Sequence, residues 1–323
     1  MRAKKQGRFF IGCRDKYKKV SYCWFISSKT ETTMNSYPSK IAVLVHSKDN
    51  FDATCKPYLL RFLIEAWENV GIKVRVLRGI KHFEPADGLI LHTDLTVVSD
   101  DYLAFGKQYP LIINGGVRDI SKRIISSSLI GQKNSYGGAV IVKTNFNCGG
   151  KSERKKMSRR RPLYQALSGL TRWLPWSWTG RLRPHNYPIF KSSRDVPRAA
   201  WRNPHLVVEK FLPEREGSYY CLRQWLFFGD REISLRCFSN RPIVKARNII
   251  HREEGLPIPE ALRILRTKLR FDYGKFDYAL VNGETILYDA NRTPTVAWTT
   301  PAARQASIVN ELAQGLFCFF GKA

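Results

Sequence analysis

Two carboxylates and an amide lie late in the chain at a spacing that suits a hard cation. Asp277 stands in the segment Phe276 to Val281, Asn282-Gly283 follows, and Thr285 to Asp289 returns before Asn291. Asn-Gly between two such segments is the strongest short signal for a two-residue hairpin. Pairing across that turn brings Asp277 and Asp289 to one face, and the strand period of two projects Asn291 toward it as well. Two carboxylates and an amide oxygen make a site for magnesium, which takes such ligands and leaves its other positions to water and phosphate oxygens. Acids this close together require a cation when buried. Three cations lie near these elements: Lys275, two positions before Asp277 on the same strand face, Arg223 and Lys245. Arg223 and Lys245 are candidates to clamp phosphates or a carboxylate.

The elements that must position these residues follow from the pattern. Ile41 to His46 is an apolar run typical of a buried parallel strand, and Pro57 to Val70 has helical spacing ended by Gly71. Lys73 to Leu77 and Ala86 to His92 read as further strands, so the order β-α-β-β predicts a small, mainly parallel α/β domain. Leu111 to Ile113 adds a strand, a helix is expected from about Asp119, and Val140 to Lys143 is a strand that ends in the polar loop Thr144 to Gly150. From Lys151 to Arg202 the chain is dense in cations and tryptophans, with a helix expected from Pro162 to Arg172 and an irregular insertion after it. Leu206 to Phe211 is a strand. Tyr219 to Phe228 and Glu232 to Phe238 form a hairpin, Pro259 to Leu269 is an amphipathic helix, and Arg304 to Phe320 is a closing helix.

The pattern Asp277, hairpin, Asp289-Ala290-Asn291, Pro294 resembles that of the ATP-grasp superfamily, which reads Asp, hairpin, Glu-x-Asn and then Pro. The departure is Asp289 in place of Glu, a shorter arm that leaves one or two magnesium ions open. Other stretches are similar in the family's order. The helix with Lys122 looks like the carrier of the first ATP lysine, and the strand ending at Lys143 like that of the second. Gly149 and Gly150 follow as a phosphate-covering loop, where missing side chains let backbone amides approach anionic oxygens. The segment LVVEKFLPEREGS resembles the hinge between the two lobes. That likeness implies that Glu209 takes the adenine amino group, that the backbone of Lys210 to Leu212 reads the ring edge with Phe211 flanking it, and that Glu216 binds the ribose, with Glu214 as competitor. Lys275 stands where related ligases place an Arg on the transferring phosphoryl group.

The resemblance covers roughly residues 40 to 300 and implies an α/β and α+β chain of ATP-grasp fold. Its parts would be a basic tail (1–38), an N-terminal pre-ATP-grasp parallel α/β domain (39–115), an ATP-grasp N-terminal lobe (116–205) with the basic Trp-rich insertion (151–202), and a C-terminal lobe (206–323). The two α+β lobes would clasp ATP and magnesium. The reaction implied is ligation, in which a carboxylate is activated as an acyl phosphate for attack by an amine or thiol. A kinase on the same fold is the alternative within enzymes, and a catalytically inactive protein that binds nucleic acid or another polyanion is the alternative outside them.

The net charge of +27 implies an anionic partner without choosing among nucleotide, acidic substrate, nucleic acid and membrane surface. An anionic carboxylate substrate is favoured over nucleic acid. The insertion 151–202 has a solvated face as its plain reading, with substrate recognition, nucleic-acid stacking and a membrane-surface patch as alternatives. The seven cysteines (13, 23, 55, 148, 221, 237 and 318) show no CxxC spacing and read as reduced thiols. His251 reads as a surface histidine. The chain lacks an apolar run of membrane-spanning length or a secretory signal, so a cytoplasmic protein is expected. Met34 precedes the first convincing strand and is an alternative translation start, with a basic targeting or anion-binding arm as the other reading of the residues before it.

Overall fold

The computed structural model describes residues 37–53, 56–134, 136–156, 173–296 and 301–321. The expected tail before residue 37, the start at Met34, Cys13, Cys23, Cys55 and the helix from Pro162 to Arg172 lie outside the described residues.

A four-stranded parallel sheet comes first, in the order β2-β1-β3-β4, from β1 (Lys40–Val45), β2 (Lys73–Arg78), β3 (Gly88–Leu91) and β4 (Ile112–Ile113). β1 and β3 are buried along their whole length, or nearly so, as central parallel strands must be when both faces are covered. The crossover helix α1 (Leu59–Asn69) buries Leu59, Leu60, Leu63, Ile64, Ala66 and Trp67, an i, i+3, i+4 stripe. A short helix, α2 (Asp100–Gly106), covers the sheet through Tyr102 and Phe105.

The expected helix from Asp119 is a single turn, α3 (Lys122–Ile125). Its start is delayed because the Asp119 carboxylate accepts the Ser121 amide at 2.7 Å, a local turn that competes with helix. A three-stranded antiparallel sheet follows, in the order β6-β5-β7, from β5 (Val140–Thr144), β6 (Ile189–Phe190) and β7 (Leu206–Lys210). Between β5 and β7 lie α4 (Lys151–Lys156), α5 (Trp176–Thr179) and α6 (Arg198–Arg202). The insertion is therefore partly built into the sheet, because β6 pairs with β5.

The last sheet is antiparallel, in the order β11-β10-β9-β12-β13, with β8 (Glu214–Glu216) paired to β9. β9 (Tyr219–Phe228), β10 (Arg231–Ser239), β12 (Tyr273–Val281) and β13 (Glu284–Asn291) form the two expected hairpins, and β11 (His251–Glu254) is an edge strand that the sequence pattern did not predict. Asn282 and Gly283 have φ of 52° and 83°, the left-handed pair a two-residue hairpin demands. Helix α7 (Glu260–Lys268) places Leu262, Leu265 and Leu269 against the aromatic core of Trp225, Phe227, Phe271 and Phe276. The closing helix α8 spans Ala302–Gln314 and stops earlier than expected, at Gly315. A Cβ at Gly315 would lie 1.8 Å from the Phe228 carbonyl oxygen, so the chain passes β9 where no side chain fits. The Trp67 indole donates to the Ala313 carbonyl at 2.9 Å, fixing α8 to α1.

Candidate active site

The β12–β13 register places Asp277 directly opposite Asp289 and Lys275 opposite Asn291. A bulge interrupts this register: Tyr278 pairs with Leu287, so Tyr288 is the extra residue of β13. Strict alternation would send Tyr288 and Asp289 to opposite faces. The bulge instead lets both line one cavity.

That cavity holds about 310 Å³. Its apolar wall includes Ile141, Phe211, Leu222 and Val244, and its polar part carries Lys122, Lys143, Lys245, Asp277 and Asp289. Four elements converge there: α3 supplies Lys122, β5 supplies Lys143, the segment after β10 supplies Lys245, and the hairpin supplies the acids. The expected hinge residues Lys210, Phe211 and Leu212 line the same cavity.

Each acid carries a lysine. The Lys122 ammonium, 3% exposed as a residue, donates to Asp289 Oδ1 at 2.5 Å. Burial acts to lower the Lys122 pKa, and the Asp289 charge outweighs it and leaves it raised. Burial likewise acts to raise Asp289, and Lys122, Lys245 and Lys275 together hold it below the usual 3.8. Asp277 accepts Gln224 Nε2 at 3.0 Å and pairs with Lys275 at 3.0 Å. The Lys275 pKa is raised in the same way, burial being overcome by Asp277. Lys245 differs: no carboxylate among the described residues lies within ion-pair distance, and desolvation holds its pKa below the usual 10.5 despite Asp277 and Asp289 nearby. Asn291 Oδ1 accepts the Thr293 amide at 2.9 Å and Asn147 Nδ2 at 3.4 Å.

Several residues take other positions than those expected. Glu209 is 2% exposed and pairs with Lys143 at 2.6 Å across β5 and β7, while its Oε1 is buried without a hydrogen-bond partner. Of the hinge amides, Lys210 donates to Ser128 and Phe211 to Ala139, both at 2.8 Å, because β7 continues its pairing to that point. The Tyr288 hydroxyl donates to the Leu212 carbonyl. Two hinge amides and one carbonyl are thus already engaged, which narrows the ring-reading role expected of this backbone. Glu216 is exposed on β8 and pairs with Arg236 at 2.5 Å, away from the cavity lining. Arg223 also lies outside that lining, bound through Nε to both oxygens of Glu214 at 3.0 and 2.9 Å. Glu214 is further paired with Arg236 at 2.8 Å and accepts the Leu280 amide at 2.8 Å, so its carboxylate is engaged within the sheet. A buried ion pair explains the position of Arg223, since an acid and a base in a sheet interior satisfy each other first.

Gly149 and Gly150 have φ of 69° and 68°, and Cys148 before them has φ of 47°. Three successive left-handed residues turn the chain sharply into α4, and Cys148, not the glycines, lines the cavity. Cys148 is exposed as a residue, while desolvation of its thiol at the cavity wall pushes the pKa up to about 11. Sequence reading missed Gln224, Tyr187, Cys148 and Tyr288 at the site; only Gln224 had a signal, as the polar residue between Arg223 and an apolar run on β9.

Among the described residues no group of three or more His, Cys, Asp and Glu could hold a metal. The two opposed carboxylates, now paired with Lys122 and Lys275, are hard oxygens that fit magnesium when phosphate oxygens complete the shell, while Asn291 lies outside the cavity lining with its Oδ1 engaged. The cavity lining contributes four lysines (122, 143, 210 and 245) against two aspartates. That surplus fits an anion, and the paired acids fit a cation. A magnesium polyphosphate meets both conditions at once.

No protein-family model matches the chain, and no curated protein matches it. Among solved structures it is similar to a D-alanine–D-alanine ligase from Bacillus anthracis (10% identity, 86% of this chain and 95% of that one, TM-score 0.39). It is similar also to a RimK domain ATP-grasp protein from Sphaerobacter thermophilus (11%, 87% and 99%, TM-score 0.43). A third is a RiPP-associated ATP-grasp ligase from Chryseobacterium gregarium, solved with ADP and a leader and core peptide (9%, 87% and 96%, TM-score 0.42).

Proposed function

We propose that the chain is an ATP- and magnesium-dependent ligase of ATP-grasp type, with residues 116–205 and 206–323 as the two lobes around the nucleotide. The observation that supports this reading most is that Lys122, Lys143 and Lys245, from three separate elements, line one mainly apolar cavity together with the opposed pair Asp277 and Asp289. A purine and ribose suit the apolar lining, and a polyphosphate suits the lysines. Glu209 Oε1, buried and lacking a partner, is an acceptor fitted to an exocyclic amine close to the hinge.

Asp277, Asp289 and Asn291 would hold magnesium, which when bound neutralises phosphate charge and orients the transferring group. Lys122 and Lys275 now occupy the acids and would be released toward phosphate oxygens as the ion takes their place. Lys245, which lines the cavity and has no carboxylate within ion-pair distance among the described residues, would meet an anion there. The acceptor proposed is a carboxylate, converted to an acyl phosphate and attacked by an amine to give an amide with ADP and phosphate. The Asn147–Gly150 turn would exclude water from that intermediate.

The test is ADP release with magnesium across amino acids, short peptides and polyanions, with and without amine donors. Phosphate release that depends on the amine supports the ligase. A stably phosphorylated acceptor would replace it with a kinase, and absence of turnover with every combination would remove the enzymatic reading.

A further inference from the structure

Arg292 is the strongest unexplained side chain outside the cavity lining. It follows Asn291 at the end of β13 and is 1% exposed. A guanidinium this deeply buried ordinarily meets a carboxylate, because an interior without one leaves the charge uncompensated. Arg292 meets backbone carbonyls instead, and among the described residues no carboxylate lies within ion-pair distance of it. Nη1 donates to Val117, and Nη2 donates to Thr96 at 3.0 Å and to Arg118 at 3.2 Å. Nε is buried without a hydrogen-bond partner. An apolar side chain of similar volume would be buried at lower cost, so stability alone gives no account of an arginine here.

The three carbonyls lie where separate parts of the chain meet. Thr96 belongs to the connection after β3, and Val117 and Arg118 lead into α3, which carries Lys122. These two stretches pair with each other. The Val98 amide donates to the Arg118 carbonyl at 2.9 Å, the Ile120 amide donates to the Thr96 carbonyl at 3.0 Å, and Val97 bridges to Asp119. Arg292 adds a second donor to the Thr96 and Arg118 carbonyls, filling both acceptor positions of each. The Thr96 hydroxyl accepts the Asn147 amide at 2.9 Å, so the Asn147–Gly150 turn hangs from the same point.

Among the described residues, two polar contacts tie the Lys122 segment to β13: the Lys122–Asp289 ion pair and the Arg292 fork. Val117, Ile120 and Ile125 also pack on the aromatic core, but apolar burial has no direction of its own. The two polar contacts differ in permanence. Lys122 has to leave Asp289 for that acid to hold magnesium, whereas the carbonyls keep Arg292 whatever the site holds. A planar guanidinium spreads its donors over both stretches, and a lysine ammonium is a single point without that spread.

We propose that Arg292 is a positioning residue, a fork that keeps the Lys122 segment aligned with the Asp277–Asn291 hairpin when a ligand opens the Lys122–Asp289 pair. The clamp on the backbone is independent of the nucleotide reading, while its part in ligand exchange rests on that reading.

The parent chain, Arg292→Met and Arg292→Lys are to be compared by amide hydrogen exchange and by calorimetric titration with magnesium ADP. Arg292→Met is expected to speed exchange at Val98 and Ile120 about tenfold and to leave the β9–β10 hairpin amides unchanged, with Arg292→Lys between it and the parent. The second measurement is a double-mutant cycle with Lys122→Met. Loss of the lysine should weaken magnesium ADP binding about tenfold in the parent, but only about twofold once Arg292→Met has misaligned it. Exchange at Val98 and Ile120 like the parent's, uniform acceleration across the chain, or additive losses in the cycle would each overturn the proposal. If Arg292→Met does not fold, Arg292→Lys carries both measurements under the same criteria. A parent chain that binds no magnesium ADP would remove the nucleotide reading, and the exchange data alone would then decide the clamp.

Discussion

Asp277 and Asp289 carry different partners, and their substitution has different consequences. Asp289 bears the nearly buried Lys122, so Asp289→Asn leaves that ammonium without its counter-ion. A loss of roughly 2–3 kcal/mol of stability is expected, at or below the low end for a fully buried pair because Asp289 is partly exposed. Turnover, on the proposed function, should fall by about 10² to 10³. Denaturant unfolding beside ADP release checks both. The carboxyl of Asp289 is held below its usual 3.8, so its contribution is complete above that pH and is lost as the pH falls through the depressed value. The acid limb of the stability profile should accordingly be shallower in Asp289→Asn. Lys245 predicts the opposite balance. Its lowered pKa means that the folded chain resists the proton just below 10.5, and this penalty fades as the pH rises through that window. Lys245→Met should raise the melting midpoint of the ligand-free protein by about 1–2 °C. It should also weaken nucleotide binding about tenfold, as calorimetry would report.

The elements that converge on the cavity are held by close backbone contacts as much as by side chains. The passage of α8 under β9 is the tightest of them. Gly315→Ala would drive a methyl into the Phe228 carbonyl, so about 3 kcal/mol or more of destabilisation is expected, with a lower denaturant midpoint. Gly229, whose Cβ would meet the Gly315 carbonyl oxygen at 2.2 Å, belongs to the same crossing, so the two glycines should behave as one coupled site. At the hairpin, the bulge is the element that matters for chemistry. It adds Tyr288 to the cavity beside Asp289, and the Tyr288 hydroxyl then ties β13 to the Leu212 carbonyl. Tyr288→Phe is expected to keep the fold and lower nucleotide affinity a few-fold by loosening that tie, as a binding titration would measure.

Across the whole molecule, a net charge of +27 sets a positive field in which only part of the basic surface faces the cavity. If magnesium and nucleotide bind the folded chain alone, magnesium ADP at about 100 times its Kd should stabilise it by roughly 2.7 kcal/mol. A thermal scan with and without a chelator separates the metal's share. The hairpin was legible from its Asn-Gly turn, but the facing of Asp277 and Asp289 was not fixed locally: the two-residue turn by itself sets Asp277 against Tyr288, and the bulge shifts the pairing by one residue to bring Asp289 opposite. The parallel sheet was legible too, since buried strands and a crossover helix leave their period in the residues. The partners of the charged groups were not. Lys122 with Asp289, Lys143 with Glu209, and Glu214 with Arg223 and Arg236 join residues that different elements supply, and no local pattern encodes such pairings. Local sequence thus determined which side chains could do chemistry, while the bulge set the face on which Asp289 stands. Only the tertiary structure decided which are engaged with one another and which, like Lys245, are left over, because ion pairing in a low-dielectric interior depends on distances across the fold.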